Sequence, residues 1–194
     1  MDDPPFGDEA AQPAAQLAEA KNRLRAEIRR SRSERDPAER DRARAAIREH
    51  VLDQLTALAL PPGAVVAAYQ PLATEPGSPE LLAGLVERGY RVLVPITLPD
   101  RDLDWHRWED NTTPLGLDAI AEAAVILVPA FAVDHAGNRL GRGGGSYDRA
   151  LARVGRPTVA ALLFEGELVP QVPSAPWDRP VTVAVTPSGW VNLR

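Results

Sequence analysis

The sequence predicts an α/β domain built on an open, mostly parallel β-sheet flanked by helices. Two observations carry that expectation. Short apolar runs, "AVVAAY", "YRVLVPI", "AVILVP", "TVAALLF" and "VTVAVT", alternate from residue 64 onward with helical or turn-rich segments. Continuous apolar runs of this length are what strands covered on both faces require. The first two runs enclose a capped helix and so form a βαβ unit, whose strands pair in parallel through a right-handed crossover. The architecture is Rossmann-like and three-layered, preceded by N-terminal helices, and such sheets take ligands beyond the carboxyl ends of their strands.

In chain order, residues 1–12 are rich in Pro, Asp and Ala and are expected to form a mobile tail, leaving residues 13–194 as a single α/β domain. A first helix is expected over about 14–32, with Leu17, Leu24 and Ile28 spaced along one apolar face. A second starts at "DPAE": Asp36 caps it, Pro37 suits its first turn, and Glu39 completes a capping box. It ends near Leu58, before Pro61, Pro62 and Gly63. A strand follows over Ala64–Tyr69, then a helix with Ser78 as cap, Pro79 in its first turn and Gly89 as terminator. "YRVLVPI" returns to the sheet. "DLDWHRW" alternates and is expected to be an exposed strand, while Ala124–Pro129 is expected to be a buried central one. A glycine loop comes next, then a helix over about Tyr147–Val154 and the last two strands.

Composition removes several classes of function. With no cysteine, a disulfide framework, a thiolate zinc site and a cysteine nucleophile are excluded. The longest apolar run, "AAVILVPAFAV", falls short of the roughly 20 residues of a membrane span. A cytoplasmic protein with no membrane partner is therefore expected. Lys21 is the only lysine among 22 Lys and Arg residues, so a compact ammonium is expected to matter there. The arginine-dense stretch from Lys21 to Arg48 has two readings: a solvated surface paired with Glu27, Glu34, Glu39 and Asp41, or a nucleic-acid-binding face. The interleaved acids favour the first.

"GNRLGRGGGSYDRAL" (137–151) concentrates glycines around two arginines and an aspartate. Glycine permits positive φ and close backbone approach, so peptide N–H groups can form a concave nest for an anion. The run lacks the lysine of a P-loop and the third glycine of G-x-G-x-x-G, and Ser146 lacks a G-x-S-x-G frame. His50, His106 and His135 have no metal-ligand spacing. What remains is a loop with N–H groups, the guanidinium groups of Arg139 and Arg142, and the Asp148 carboxylate, the parts needed to hold phosphate oxygens and a divalent cation. The alternative is a glycine-rich surface hairpin whose arginines pair with nearby acids.

The stretch "VPAFAVDHAGNRLGRGGGSYDRAL" resembles the signature of 5-formyltetrahydrofolate cyclo-ligases, roughly V-P-x-x-x-F/V-D-x-x-G-x-R-L-G-x-G-x-G-Y/F-Y-D. Lys21, Leu24 and Arg25 as K-x-x-L-R, the segment "LATEPGSPELL" and the terminal "QVPSAPWDRPVTVAVTPSG" fall in the family's order. The resemblance implies ATP- and Mg2+-dependent conversion of 5-formyltetrahydrofolate to 5,10-methenyltetrahydrofolate, with ADP and phosphate released by way of a phosphorylated formyl group. It implies ATP binding by Lys21, Arg25, Arg139, Leu140, Gly141, Arg142, Gly143, Gly144, Gly145, Ser146 and Tyr147. Glu75 matches the residue that contacts the folate near its formyl group, joined in substrate binding by Arg142 through Tyr147. Arg139, Arg142 and Glu75 are the implied catalytic groups, and Asp148 and Asp178 the implied magnesium ligands. Lys21 and Arg139 are expected to be surface charges remote from the core.

Three departures from the pattern bear on folate more than on ATP, one of them that "EPGSPELL" is less acidic than the usual segment. Ser146 stands where the family has an aromatic, with Trp105, Trp108 or Phe131 as possible substitutes, and Gly144 stands where some members have lysine. A monomer acting on small molecules, with no nucleic acid, is expected. A ligand-binding homologue without turnover and a nucleic-acid-binding module are the alternatives.

Overall fold

The structure, a computed structural model, describes residues 11–193. Two helices lead: α1 (Ala11–Glu34) and α2 (Pro37–Ala57). Asp36 caps α2, its Oδ1 accepting from the Ala38 and Glu39 amides at 2.9 and 3.1 Å. The reciprocal bond from the Asp36 amide to the Glu39 carboxylate, which a capping box needs, is not among those of the described residues. α1 begins at Ala11, inside the stretch read as a tail, and residues 1–10 lie outside the described residues.

The sheet region then runs β1 (Val65–Ala67), α3 (Pro79–Glu87), β2 (Arg91–Thr97), β3 (Leu103–Arg107), a 3₁₀ segment (Leu117–Glu122) and β4 (Ala123–Pro129). It continues through β5 (Ala132–Asp134), β6 (Arg139–Leu140), α4 (Ser146–Leu151), β7 (Thr158–Leu162), β8 (Leu168–Val169), β9 (Val183–Thr186) and β10 (Gly189–Asn192). Ser78 caps α3 through the Leu81 amide, with Pro79 in the first turn. The main sheet has seven strands in the order β10-β9-β7-β4-β1-β2-β3. Its five inner strands are parallel, and β10 and β3 are antiparallel edges. β4 is the central strand. From β1 the chain steps outward to β2, whereas from β4 it steps the other way to β7 and β9. The winding therefore reverses between β1 and β4, and that is where a crevice opens in such sheets.

Both faces are covered, which explains the unbroken apolar strand sequences. Val66, Val94 and Leu127 pack with Ile47, Leu55 and Leu85 of α2 and α3. On the other face Ala67, Ile126 and Val128 pack with Trp105, Ile120 and Leu151. β3 is thus not the exposed strand expected: Leu103 and Trp105 are buried, and their period-2 face closes over Ile120 of the 3₁₀ segment. α4 is also shorter than the helix expected over 147–154, running only from Ser146 to Leu151.

A small second sheet, in the order β6-β5-β8, lies in sequence between β4 and the last strands. Strands of two or three residues carry too little alternation to announce themselves. This sheet supplies the seat for α1, where Ile28 packs on Phe131, Ala132 and Leu140. Beside it Arg32 donates from Nε and Nη2 to the two Glu167 oxygens, and from Nη2 to the Ala130 carbonyl, all at 2.7 Å. The guanidinium groups of Arg29 and Arg32 lie over Phe131, and those of Arg32 and Arg35 over Phe164. Much of the arginine density of α1 therefore docks the helix, and cation–π contact accounts for arginine in preference to lysine.

Candidate active site

A cleft of about 1140 Å³ opens beyond the carboxyl ends of β1, β2 and β4, where Tyr69, Thr97 and Pro129 line it. The reversal of strand order places it there. Lys21, Arg25, Glu75, every residue from Arg139 to Asp148, and Asp178 all line this one cleft.

α1 contributes two cations one turn apart. Lys21 Nζ donates to Asp178 Oδ2 at 2.5 Å, and Arg25 Nε donates to the Gly141 carbonyl at 2.9 Å. Asp178 Oδ2 also accepts from the Ala175 amide at 2.7 Å, which fixes the carboxylate against its own turn.

The glycine loop leaves the β5–β6 hairpin, and Asp134 organises that hairpin. Its Oδ1 accepts from the Ala136 and Asn138 amides at 3.0 Å, and its Oδ2 from Asn138 Nδ2 at 2.9 Å and the Val172 amide at 3.0 Å. Burial would raise its pKa, but the Asn138 side chain and the three amides outweigh burial and hold it below the usual carboxylate range. The expectation that the loop follows a main-sheet strand directly is corrected by this hairpin.

Arg139, in β6, is not the surface charge expected. Its side chain is 4% exposed and donates to the Pro129 carbonyl at 3.1 Å and to Asp148 Oδ1 at 3.3 Å, with Tyr147 under the guanidinium. The glycines answer to these arginines: a Cβ at Gly141 would stand 2.7 Å from Arg139 Nη1, and one at Gly143, where φ is 98°, would stand 3.4 Å from the Arg25 guanidinium. Arg142 is exposed and makes no ion pair among the described residues. Asp148 also accepts the Arg179 amide at 3.0 Å. Both readings of the loop therefore meet here, since arginine does pair with a nearby acid, and the pair lies inside the cleft.

Glu75 sits in the loop between β1 and α3. Its Oε2 accepts from the Leu72 amide at 2.8 Å, while Arg44 and Arg40 of α2 hold the carbonyls of Leu72, Ala73 and Glu75. Arginines of the dense stretch thus position the loop that carries it. Two phenols share its surroundings: the hydroxyls of Tyr69 and Tyr147 are buried, and neither proton has an acceptor among the described residues. Burial pushes both pKa values up, and the Glu75 charge adds to the rise.

Sequence reasoning missed Tyr69 and Trp177. An aromatic at the end of the first strand of a βαβ unit was the available signal for Tyr69. Trp177, 72% exposed, stands at the cleft beside Asp178. Trp105, Trp108 and Phe131, the substitutes considered for Ser146, do not line the cleft. His50 and His106 bond to the carbonyls of Pro187 and Arg107, and His135 is exposed. No cluster of three or more His, Cys, Asp or Glu side chains suited to a metal occurs among the described residues. Asp148 and Asp178 put two carboxylates on the cleft, a donor set that would suit a cation carried mainly by phosphate and water.

Residues 17–187 match the 5-formyltetrahydrofolate cyclo-ligase family, a span that includes every cleft residue named above. The chain belongs to that family. Membership makes it an enzyme of the ligase class. A 5-formyltetrahydrofolate cyclo-ligase of Mycolicibacterium smegmatis is 40% identical over 152 residues, covering 68% of this chain and 78% of the relative. The Haemophilus influenzae cyclo-ligase is 24% identical over 179 residues, covering 83% and 94%. Among solved structures, a 5,10-methenyltetrahydrofolate synthetase from Mycoplasma pneumoniae shares the fold with a TM-score of 0.74 at 21% identity, covering 86% of this chain and 98% of that one. The Aquifex aeolicus 5,10-methenyltetrahydrofolate synthetase gives 0.69 at 25% identity, covering 90% and 93%. No helix among the described residues of this cyclo-ligase family member is long and apolar enough to cross a membrane.

Proposed function

We propose that this chain, acting as a monomer, uses ATP to close 5-formyltetrahydrofolate to 5,10-methenyltetrahydrofolate, releasing ADP and phosphate. The observation that carries the reading is the convergence of Lys21, Arg25, Arg139 and the glycine loop with Glu75 in one cleft at the switch point of the sheet.

The chemistry requires such a cleft. A formyl group on nitrogen is an amide, and its oxygen leaves too poorly for the neighbouring amine to expel it. Attack of that oxygen on the γ-phosphorus releases ADP and gives a phosphorylated imidate. The amine then adds to the formyl carbon, and the C–O bond breaks with phosphate as leaving group. Phosphoryl transfer of this kind depends on positioning and charge neutralisation. Lys21, Arg25, Arg139 and Arg142 supply positive charge, the loop amides supply donors, and Glu75 orients the folate.

The ion pairs of the cleft suit this task. Lys21 and Arg139 each hold one of the two carboxylates assigned to magnesium. Phosphate oxygens arriving at these cations release the Asp178 and Asp148 oxygens. Magnesium, when bound, neutralises charge shared between the outer phosphates. Absorbance of 5,10-methenyltetrahydrofolate should rise only when protein, Mg-ATP and 5-formyltetrahydrofolate are mixed together. Equal turnover without ATP would end this reading, and nucleotide binding without product would favour a homologue that has lost turnover.

A further inference from the structure

Tyr69 is a cleft residue whose chemistry nothing above uses. It follows β1 directly, at the point where the strand order reverses, and lines the cleft with Glu75 and Tyr147. The residue is only 6% exposed, and its ring packs with the core cluster on the α2/α3 face. Gly77 crowds the phenol from one side, a Cβ there lying 3.0 Å from the oxygen. The Gly77 amide approaches that oxygen as a donor, but no group in the described structure accepts the hydroxyl proton. A buried hydroxyl left in this condition costs stability, and such costs collect at sites that bind something.

We propose that Tyr69 is a substrate-contacting specificity residue, its hydroxyl donating a hydrogen bond to a carbonyl oxygen of the bound folate beside Glu75. This rests on the reading of the cleft given under Proposed function. A phenol can donate or accept, but here it is the proton that lacks a partner, so the ligand must supply an acceptor. Two acceptors of 5-formyltetrahydrofolate lie near its reacting nitrogen: the formyl oxygen and the ring carbonyl next to that nitrogen. The formyl oxygen needs its electron pair to attack phosphorus, and a donor placed on it would weaken the nucleophile. The Tyr69 proton is therefore assigned to the ring carbonyl, while the Glu75 carboxylate takes an N–H of the same ligand. One donor and one acceptor side by side read a complementary edge, and the ligand loses a bond when either is removed.

Tyr69→Phe tests this by deleting one oxygen and leaving the ring. Thermal unfolding without ligand should occur at the same temperature or higher, because a hydroxyl whose proton has no acceptor has been removed. The KM for 5-formyltetrahydrofolate should rise about three- to tenfold, the range an uncharged hydrogen bond spans. The KM for ATP and kcat should hardly move, since the bond is made equally in ground and transition states. The thermal upshift produced by 5-formyltetrahydrofolate alone should shrink, while that produced by Mg-ATP alone should not. A lower unfolding temperature without ligand, or an unchanged folate KM in the variant of an active wild type, would overturn the assignment. A wild type that neither converts 5-formyltetrahydrofolate nor is stabilised by it would overturn the underlying reading as well, so the two failures are distinguishable.

Discussion

Replacing Arg139 and Lys21 separately by alanine distinguishes a fully buried cation from a partly buried one in a cleft where both are assigned to phosphate. Arg139→Ala removes two hydrogen bonds, to the Pro129 carbonyl and Asp148, and a guanidinium lying over Tyr147, from a side chain 4% exposed. The Pro129 carbonyl loses its donor at the end of the central strand, and a cavity opens against Tyr147. Each uncompensated group is worth about 1–3 kcal/mol, and Asp148 is discounted because it partly faces solvent, so the sum is about 3 kcal/mol. At 2–4 °C per kcal/mol for a chain of this size, unfolding should fall by about 6–12 °C. Lys21→Ala breaks one pair whose side chains are each 16% exposed, and Asp178 keeps its bond from the Ala175 amide. That loss should be near 1 kcal/mol, or about 2–4 °C. Both variants should nonetheless raise the KM for ATP by about tenfold or more, since each removes a charge-assisted contact to phosphate. The assay is nucleotide-free thermal unfolding of the two variants side by side, followed by ATP titration of the ones that stay folded at 25 °C. Equal unfolding temperatures would refute the burial argument, and unchanged ATP dependence in Lys21→Ala would refute the phosphate assignment.

Three further outcomes follow from the same geometry. Asp148→Asn should weaken the magnesium dependence of turnover, measured as a rightward shift of the magnesium titration, because a hard anionic ligand is lost; an unchanged titration would move the metal away from Asp148. Ser146→Tyr should lower the KM for 5-formyltetrahydrofolate by about two- to tenfold and leave that for ATP alone, the gain of one aromatic contact, and a raised folate KM would mean that the pocket is built around serine. The Asp134 carboxyl titrates below the usual carboxylate range, so its contribution is complete above the ordinary value near 3.9 and disappears as the pH falls through the depressed one. Asp134→Asn, which puts a donor opposite the Val172 amide or the Asn138 amide nitrogen, should destabilise the protein by about 2–4 kcal/mol at pH 7 and flatten its acid limb. An unaltered acid limb in denaturation curves would contradict that role.

The large features of the fold were legible because they are local. The Asp36 and Ser78 caps, the Pro37 and Pro79 first turns and the βαβ unit each lie within a short window, and each appears where the sequence places it. Features set by distant partners were not legible. Nothing near Arg32 announces Glu167, 135 residues away, so its burial could not be read from an arginine-dense helix. The same applies to Arg139, whose partner carbonyl belongs to the central strand and whose room is made by Gly141. The residues named from the family resemblance line one cleft, but that resemblance is silent on a buried tyrosine whose hydroxyl proton has no acceptor among the described residues. The exposure of Trp177 and the burial of Trp105 likewise depend on which face of the molecule each occupies, and composition does not carry that information.

The central claim is that the formyl oxygen itself attacks the γ-phosphorus, so its fate is the most direct test. With 5-formyltetrahydrofolate carrying oxygen-18 in the formyl group, Mg-ATP and the protein, mass spectrometry of the released phosphate should find one labelled oxygen per 5,10-methenyltetrahydrofolate formed. Unlabelled phosphate, with the label in water, would show that ATP hydrolysis is separate from ring closure and would contradict the account.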